Sequence, residues 1–277
     1  MTVADASRRG TDNPTEGTSN SSETASQPIL TAEAVTVRFG GVVALQDVSI
    51  EVAAGRVTGI VGPNGAGKTT LFAVMSGLLR PDHGRVVLSG VDISRMGPHD
   101  RARRGIARTF QRVELFASLS VRDHLVLAQR LGNRYRHHRR ATPSSDLTED
   151  LIVQLGLTAV ADLEAVTLPV GQARLVEVGR ALATNPEVLL LDEPCSGLDA
   201  DQQHRLIEVL LQWKDTSGVS LVIVEHNVDL VVQVSDCMYV LDMGQVISQG
   251  LPEMVVRDPA VQVAYLGDDF VTSPQSS

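Results

Sequence analysis

Two segments near the start of the chain alternate apolar and polar residues with the period of a β-strand. Residues 31–39 read TAEAVTVRF, residues 42–52 read VVALQDVSIEV, and two glycines lie between them. β-Branched residues at alternate positions on both sides of a glycine break predict two strands of an antiparallel sheet. The segment GRVVLSG at 84–90 has a similar pattern and predicts a strand that joins them.

Three later segments are apolar without alternation, namely VLLLD (188–192), VSLVIVE (219–225) and CMYVLD (237–242). Continuous apolar runs of this length are typical of parallel strands that are covered on both faces. Between the first two, residues 201–213 carry leucine, valine and tryptophan at helical spacing and predict an amphipathic helix. The chain is therefore expected to combine an antiparallel sheet with an α/β layer.

Residues 112–183 contain no convincing strand pattern. Within them, residues 119–131, 150–157 and 173–183 predict helices. We therefore expect an all-helical subdomain over about residues 112–183, inserted ahead of the strand at 188–192.

A glycine-rich loop follows the short apolar run GRVTGIV at 55–61. The loop reads GPNGAGKTT and consists of Gly62, Pro63, Asn64, Gly65, Ala66, Gly67, Lys68, Thr69 and Thr70. A strand that leads through such a loop into a helix presents backbone N–H groups to phosphate oxygens. Lys68 then reaches the β- and γ-phosphates, and the Thr69 hydroxyl binds Mg²⁺.

The alternative to a phosphate loop is an ordinary glycine turn with a surface lysine. Apolar residues at helical spacing directly after the loop argue against that alternative; they are Leu71, Val74, Met75 and Leu78. The pattern therefore predicts a protein that binds a nucleoside triphosphate.

Charge is unevenly distributed along the 277 residues. The formal net charge of −9 argues against nucleic acid as a partner, because such a partner requires a basic surface. Residues 101–140 nevertheless hold 11 arginines. A solvated face is the simpler interpretation of the basic run at 134–140, and a surface near anionic lipid headgroups is the alternative.

The ends of the chain and its apolar runs indicate where the protein resides. Residues 1–28 are rich in serine and threonine and predict a disordered tail, and residues 268–277 predict a flexible end. No apolar run approaches 18 residues, so we expect no membrane span. Two cysteines are too few for a disulfide framework. We expect a cytosolic chain unless a partner holds it at a membrane.

Two carboxylates, Asp192 and Glu193, end the apolar run VLLLDE at 188–193. In a protein with a phosphate loop, the carboxyl end of a neighbouring buried strand is where a carboxylate must lie to hold Mg²⁺. Asp192 is the candidate for that role, and Glu193 is then in position to polarise the attacking water. Without the loop, an ordinary polar strand end would be the default interpretation.

Two further motifs accompany these carboxylates. The segment SGLD (196–199) follows LLLDEP, and His226 ends the run VIVEH. Over residues 29–267 the set resembles the nucleotide-binding subunits of ABC transporters. The resemblance implies an α/β fold with a P-loop NTPase core, an antiparallel β subdomain and an all-helical subdomain. It also implies ATP hydrolysis, with ATP and Mg²⁺ as ligands.

The resemblance assigns roles to further residues. It implies that Phe39 stacks on adenine and that Gln111 of RTFQ contacts Mg²⁺ and the attacking water. It implies that His226 bonds the γ-phosphate and orients Glu193, and that Asp199 lies at the nucleotide. Outside this set, the same residue types would be a core or strand-end aromatic, a surface glutamine and a strand-end histidine.

The signature segment departs from the family pattern. The usual Leu-Ser-Gly-Gly-Gln is here Leu168-Pro169-Val170-Gly171-Gln172. Pro169 has neither the serine hydroxyl nor an N–H, whereas Gly171 and the helix N-terminus behind it still offer backbone donors. Gln172 keeps its place in the nucleotide-contacting set. A missing hydrogen bond to a charged group is worth about 1.5–3 kcal/mol, which predicts a weakened composite site.

Three segments resemble, within the family, the ATPases of branched-chain amino-acid importers. They are RFGGVVAL (38–45), GIARTFQRVELFASLSVRDHL (105–125) and DPAVQVAYLG (258–267). This resemblance implies uptake of such amino acids or similar small solutes. The alternatives are uptake of urea or short amides, lipopolysaccharide-type export and a soluble ABC ATPase without a transport role.

The resemblance also implies partners at the cytoplasmic face of the cell membrane. They are a second ABC ATPase in a homo- or heterodimer, two membrane-spanning permease subunits and, indirectly, a solute-binding protein. The arginine-rich segment 101–112 is expected to face the permease, because it adjoins Gln111 and the helical subdomain.

Overall fold

The computed structural model describes residues 28–110, 114–135 and 147–266. The strands within these ranges are β1 (Pro28–Phe39), β2 (Val42–Ala53), β3 (Val57–Val61), β4 (His83–Leu88), β5 (Val91–Asp92), β6 (Ile106–Arg108), β7 (Val188–Asp192), β8 (Ser220–Val224), β9 (Cys237–Asp242) and β10 (Gln245–Gly250). The helices are α1 (Lys68–Ser76), α2 (Pro98–Arg103), α3 (Val121–Arg134), α4 (Leu147–Gln154), α5 (Val170–Ala183), α6 (Ala200–Ser217), α7 (Val228–Val234), α8 (Pro252–Val255) and α9 (Pro259–Leu266). The predicted tail, apart from Pro28, and the predicted flexible end at 268–277 lie outside the described residues.

A four-stranded antiparallel sheet forms one layer, in the order β2-β1-β4-β5. The hairpin of β1 and β2 closes at the glycine pair, where Phe39 is paired with Val42. Strand β4 adds to the other edge of β1 with Leu30 opposite Leu88. The predicted antiparallel pairing of these three segments is confirmed, and the sheet contains one short strand, β5, that the pattern did not indicate.

A six-stranded sheet forms the second layer, in the order β10-β9-β3-β8-β7-β6. Strands β9, β3, β8, β7 and β6 are parallel to their neighbours, and β10 pairs antiparallel with β9. The three apolar runs predicted to be buried parallel strands are β7, β8 and β9. The glycine-rich loop leaves the carboxyl end of β3, in the middle of this sheet.

The two faces of the six-stranded sheet belong to different apolar cores. Leu189 and Leu191 of β7 pack into the cluster that contains the helical region. Val188 and Leu190 of the same strand pack into the cluster that contains the antiparallel sheet and α1. Because side chains alternate across a strand, a continuous apolar run is what a sheet covered on both faces requires.

The described residues between Glu114 and Ala183 form helices and two 3₁₀ turns, and their one β feature is an isolated bridge between Ser120 and Glu164. The three helices predicted there are α3, α4 and α5. Their apolar faces share a core with α6 and with the six-stranded sheet; this core includes Leu125, Leu151, Leu175 and Leu206. The helical region therefore packs directly against the six-stranded layer.

Several elements differ from the predicted pattern. Strand β6 has three residues, and the edge strand β10 is only partly buried, so neither shows a clear apolar run. Leu78 lies beyond the end of α1, because Gly77 ends that helix in a left-handed conformation. Leu78 is 51% exposed and is not part of the core. Among the described residues, no helix is long and apolar enough to cross a membrane.

Candidate nucleotide site

The candidate site lies at the carboxyl edge of the parallel strands. Ile60 of β3 and Asp192 of β7 both pair with Val224 of β8, so the three strands end in the same row. The glycine-rich loop, Glu193 and His226 each follow directly from this row. The crevice outside the carboxyl ends of such strands is the usual ligand site of an open α/β sheet.

The glycines of the loop are required by its path. Gly62, Gly65 and Gly67 have φ values of 153°, 82° and 102°, which side chains disfavour. A Cβ on Gly62 would clash with the carbonyl oxygen of Leu241, and one on Gly67 would lie 2.8 Å from that of Ala44. The loop is thus seated against β9 and the first hairpin, and it leads into α1, whose N-terminus has no side-chain cap.

Lys68 is folded back onto the loop that precedes it. Its Nζ donates to the carbonyl oxygens of Gly62 at 2.6 Å and Pro63 at 3.0 Å, and the residue is buried. Burial lowers the pKa of Lys68, and Glu193 and Asp192 oppose that effect. The lysine can exchange these carbonyls for the stronger acceptors of a phosphate.

Thr69 and Thr70 occupy the first turn of α1. Thr69 is exposed, Thr70 is half-buried, and Leu71 donates its N–H to the Gly67 carbonyl. Asn64 is exposed at the crest of the loop, and Ala66 is buried beneath it. The loop therefore exposes Asn64 and Thr69, while Ala66 joins the core.

Asp192 is fully buried at the end of β7. Its Oδ2 accepts from Arg108 at 3.0 Å, its backbone N–H donates to the Thr109 hydroxyl, and its Oδ1 has no hydrogen-bond partner among the described residues. Burial raises the pKa of this carboxyl, while Arg108 opposes the rise. A buried carboxylate oxygen without a protein partner is suited to a hydrated Mg²⁺, which prefers oxygen ligands.

Glu193 has a left-handed backbone with φ of 50°. Its Oε1 lies 2.9 Å from Nε2 of His226, and its N–H donates to the carbonyl of Val224 at 2.9 Å. The Glu193 side chain is partly buried, while His226 is exposed. The pair therefore places a carboxylate oriented by an imidazole next to the loop.

Comparison with known proteins identifies the family. The family model described as "ABC transporter" matches residues 45–196, and one described as "Branched-chain amino acid ATP-binding cassette transporter" matches residues 245–271. The chain belongs to the ABC transporter ATPases.

Two relatives are named as high-affinity branched-chain amino acid transport ATP-binding proteins. BraF of Pseudomonas aeruginosa is 34% identical and LivG of Escherichia coli K12 is 32% identical, and each alignment covers 88% of this chain and 99% of the relative. The lipopolysaccharide export system ATP-binding protein LptB of Haemophilus influenzae is 34% identical over 87% of this chain and 98% of its own length.

A solved structure of the ADP conformation of an ATP-binding cassette of an ABC transporter has a TM-score of 0.74 to this chain. It is 34% identical, and the match covers 88% of this chain and all of that one. The ABC ATPase fold, its nucleotide-binding character and its class of ATP hydrolase therefore apply to this chain.

The signature segment of this ABC ATPase begins helix α5, whose N-terminus, like that of α1, has no side-chain cap. Pro169 stands at the N-cap of α5 without a side-chain bond, and Val170 is 68% exposed. Gly171 is buried, and a Cβ on it would lie 2.6 Å from Oε1 of Gln202. A Cβ would also lie 3.1 Å from the carbonyl oxygen of Gly197, so α5 begins in close contact with the segment that leads into α6. Gln172 is half-buried in the first turn.

Asp199 caps helix α6. Its carboxylate accepts from the N–H of Gln202 at 2.8 Å, and Oε1 of Gln202 accepts from the N–H of Asp199 at 3.2 Å. This capping box engages part of the carboxylate predicted to lie at the nucleotide. Asp199 remains exposed, beside the signature helix.

Gln111 lies outside the described residues, but its flanks are held by α5. The buried ion pair of Arg174 and Glu177 binds both backbone groups of Phe110. Arg174 donates a hydrogen bond to the carbonyl of Phe110, and Glu177 accepts one from its N–H at 3.0 Å. Beyond the gap, Arg180 donates to the carbonyl of Glu114 at 2.8 Å. Charged side chains of the signature helix therefore form hydrogen bonds with the backbone on both sides of residues 111–113.

Phe39 lies at the end of β1, in the hairpin that supports the loop. Its side chain is 53% exposed, so it is a strand-end residue and not part of the core. Ala44 of the same hairpin contacts Gly67. An exposed ring near the phosphate loop is available for stacking on a base.

The arginine-rich segment 101–112 was expected to face a permease, and for two arginines that expectation is wrong. Arg101 is almost fully buried, and its guanidinium donates to carbonyls at the end of α1, including those of Val74 and Met75. Burial lowers the pKa of Arg101 to about 10. Arg108 points inward to Asp192. Arg103 and Arg104 are exposed as expected.

Arg108 is a site residue that sequence reasoning missed. Besides Asp192, it contacts the Ser76 hydroxyl at 2.9 Å, and its guanidinium lies over the rings of Phe72 and Phe110. It thus connects α1, the flank of Gln111 and the carboxylate expected to hold Mg²⁺. The sequence could have indicated Arg108 as a site residue only through its position at the end of strand β6. That strand has three residues, which are too few to predict a strand.

Proposed function

We propose that this chain binds ATP with Mg²⁺ on Gly62–Thr70 and hydrolyses it with Glu193 as general base, as an ATPase of an importer for branched-chain amino acids or similar small solutes. The observation that carries the catalytic assignment is the Glu193–His226 pair at the strand edge beside Lys68. The solute assignment rests on the names of BraF and LivG and on the C-terminal family match.

The chemistry follows from the groups at this edge. Lys68 exchanges the carbonyls of Gly62 and Pro63 for the β- and γ-phosphates, and the backbone N–H groups of the loop receive the remaining oxygens. Glu193 accepts a proton from water as the water oxygen attacks the γ-phosphorus. The bond to the β–γ bridging oxygen breaks, which yields ADP and phosphate.

His226 keeps the Glu193 carboxylate aimed at the water, and its exposed side leaves room for a γ-phosphate oxygen. Asp192, Thr69 and Gln111 are the proposed holders of Mg²⁺, of which Asp192 offers the unpartnered buried oxygen. Bound Mg²⁺ supplies neutralisation of the charge on the phosphate oxygens.

The test of this assignment is Glu193→Gln. The amide keeps the shape and the bond to His226 but cannot accept a proton, so steady-state hydrolysis should fall by at least about 100-fold. ATP affinity, measured by equilibrium binding of a fluorescent analogue, should remain within about 3-fold, because the substitution leaves the loop intact. Near wild-type turnover in this variant would contradict the assignment.

An export role of the lipopolysaccharide type is the second candidate, because LptB of Haemophilus influenzae is also 34% identical to this chain. The C-terminal match to the branched-chain family favours uptake. Purification of the assembled transporter from native membranes distinguishes them: a solute-binding protein that binds branched-chain amino acids supports uptake, and bound lipopolysaccharide supports export.

An apolar groove between the sheet layer and α3 is the proposed docking site for a permease. Its volume is about 490 Å³, and it is lined by residues of α1, α2, β6, α3 and α5. Phe116, Leu127 and Leu131 are exposed along it, while Arg103 and Arg180 add positive charge. An amphipathic helix with acidic residues, in a cytoplasmic loop of the permease, fits such a groove. The chain would thereby lie at the cytoplasmic face of the membrane.

The docking proposal predicts that Arg103→Glu with Arg104→Glu separates or uncouples the transporter. Both side chains are exposed, so ATP binding by the isolated chain should be unchanged, whereas retention of the permease during purification should fall. Asp201→Lys, a charge reversal in an exposed first turn of α6 away from the groove, is the matched control. Loss of ATP binding in the double variant would show that these arginines support the fold instead.

A further inference from the structure

The last residue of β8 and the two that follow it hold the turn that comes after β7. The carbonyl of Val224 accepts from the N–H of Glu193 at 2.9 Å. Oε1 of Glu225 accepts from the N–H of Cys195 at 2.8 Å, and Nε2 of His226 lies 2.9 Å from Oε1 of Glu193. Each residue of the series therefore fixes a different atom of residues 193–195, which we name the glutamate turn.

The glutamate turn needs such support because its first residue is strained. Glu193 has φ of 50°, a conformation that non-glycine residues rarely adopt and that persists only where the surroundings impose it. Pro194 follows it and restricts its backbone further. If the contacts from β8 were lost, the side chain of Glu193 would be expected to turn away from its present direction.

Glu225 is an unusual residue to find in this place. It is 7% exposed, and the described residues show no salt bridge to it. Burial raises the pKa of its carboxyl, while bonds from Cys195 and from the backbone of His226 oppose the rise. Burying a carboxylate without a cationic partner is costly, and here that cost is offset only by hydrogen bonds from the turn at Cys195 and from the backbone of His226.

We infer that Glu225 is a positioning residue for hydrolysis, which acts by holding the N–H of Cys195 so that the glutamate turn keeps Glu193 against His226. This inference rests on the proposed role of Glu193. Glu225 itself does not touch the reacting atoms. It contributes because its carboxylate bridges the end of β8 and the turn after β7, two segments that approach only in the folded sheet.

Two uncharged substitutions separate the hydrogen bond from the charge. Glu225→Gln keeps an acceptor oxygen for the N–H of Cys195, so kcat should stay within about 3-fold of wild type. Glu225→Leu has no acceptor, and its kcat should fall by about 10- to 100-fold with KM for ATP changed less than about 3-fold. Glu225→Asp keeps the charge but is one methylene shorter, so its kcat should fall as in the leucine variant. It replaces Glu225→Leu in the test if the leucine variant does not fold.

Val222→Ala is the matched control for lost stability. Val222 lies on the same strand and is fully buried, but its side chain belongs to the core and not to the glutamate turn. It should lower the melting temperature without changing kcat per folded molecule. A second readout is the labelling of Cys195 by a neutral maleimide in a Cys237→Ser background. Because burial and the Glu225 carboxylate raise the pKa of the Cys195 thiol, both Glu225→Gln and Glu225→Leu should label faster than wild type. Movement of the turn should make Glu225→Leu faster still than Glu225→Gln, and Val222→Ala should label like wild type.

The outcomes are distinguishable. If Glu193→Gln is inactive while Glu225→Leu matches wild type in kcat and matches Glu225→Gln in labelling rate, the positioning role is wrong and the catalytic assignment stands. If Glu225→Gln loses as much as Glu225→Leu, the charge and not the acceptor matters, which also overturns the inference. If Glu193→Gln turns over normally, the proposed function itself has failed.

Discussion

Two helix N-termini in this molecule offer the same backbone groups but lie in different surroundings. Helix α1 follows the glycine-rich loop, helix α5 follows Pro169, and neither has a side-chain cap. Both therefore expose backbone N–H groups and the positive end of a helix dipole. By resemblance to the family, both are expected to face phosphate.

Their surroundings differ. The start of α1 is enclosed: Lys68 is buried, and the loop is seated on the carbonyl oxygens of Leu241 and Ala44. The start of α5 is bare, since Pro169 and Val170 are exposed. The chain thus encloses the proposed phosphate site at α1 by itself and leaves the N-terminus of α5 exposed. This contrast favours a head-to-tail arrangement with the second ABC ATPase that the family resemblance implies, in which each ATP would lie between one subunit's loop and the other subunit's signature.

The largest expected effect tests the enclosed site. Lys68→Ala removes the cation that the loop now holds on Gly62 and Pro63, and ATP affinity should fall by about 10- to 100-fold. Equilibrium binding of a fluorescent ATP analogue measures the change. Lys214→Ala is the control, because Lys214 is the only other lysine and is ion-paired with Asp215 on α6.

An unchanged affinity in Lys68→Ala, with Lys214→Ala also unchanged, would mean that backbone N–H groups alone hold the phosphates. The start of α1 would then bind phosphate through the same kind of backbone groups that the start of α5 exposes. The buried Lys68 would no longer distinguish the two helix ends.

A smaller effect tests the bare site. In a heterodimer with an ATPase that has serine in its signature, the ATP on Lys68 occupies the better-formed site, because the partner supplies the hydroxyl. Glu193→Gln should then reduce hydrolysis about 10-fold more than the matching substitution in the partner, the equivalent of one charge-assisted hydrogen bond. Phosphate release by each reconstituted variant is the measurement.

Pro169→Ser in the same heterodimer is the reverse experiment, because it restores a hydroxyl at the N-terminus of α5. The decreases in hydrolysis caused by Glu193→Gln and by the matching substitution in the partner should then become more similar. If the two glutamate substitutions reduce hydrolysis equally in the heterodimer that still has Pro169, the N-terminus of α5 and Gly171 compensate for the missing serine. The proposed asymmetry would then be abandoned.

Much of the fold could be predicted because it depends on local pattern. The parallel strands β7, β8 and β9 are continuous apolar runs, and the helices after residue 120 have clear periodicity. The glycine-rich loop, Asp192 and His226 were found for a similar reason, since each ends an apolar strand. Strand β6 was missed because three residues cannot establish a period, and Leu78 was misplaced because Gly77 ends α1 before that residue.

The contacts of charged residues could not be predicted in the same way. Arg101 and Arg103 stand in one basic segment, yet Arg101 is buried against carbonyls at the end of α1 and Arg103 is exposed. No periodicity distinguishes them. The bond from Glu225 to Cys195 likewise joins residues 30 positions apart, which meet only because β7 and β8 are neighbours.

The sequence by itself therefore determined the family, the phosphate loop and the candidate acids and base, because these depend on residue type and short spacing. Only the tertiary structure decided that Arg108 holds Asp192, that Glu225 supports the glutamate turn, and that one helix end is enclosed while the other is bare. The physical reason is that strand order and packing determine how deeply a charged side chain is buried and which residue it contacts. The pattern of residues along the chain contains neither piece of information.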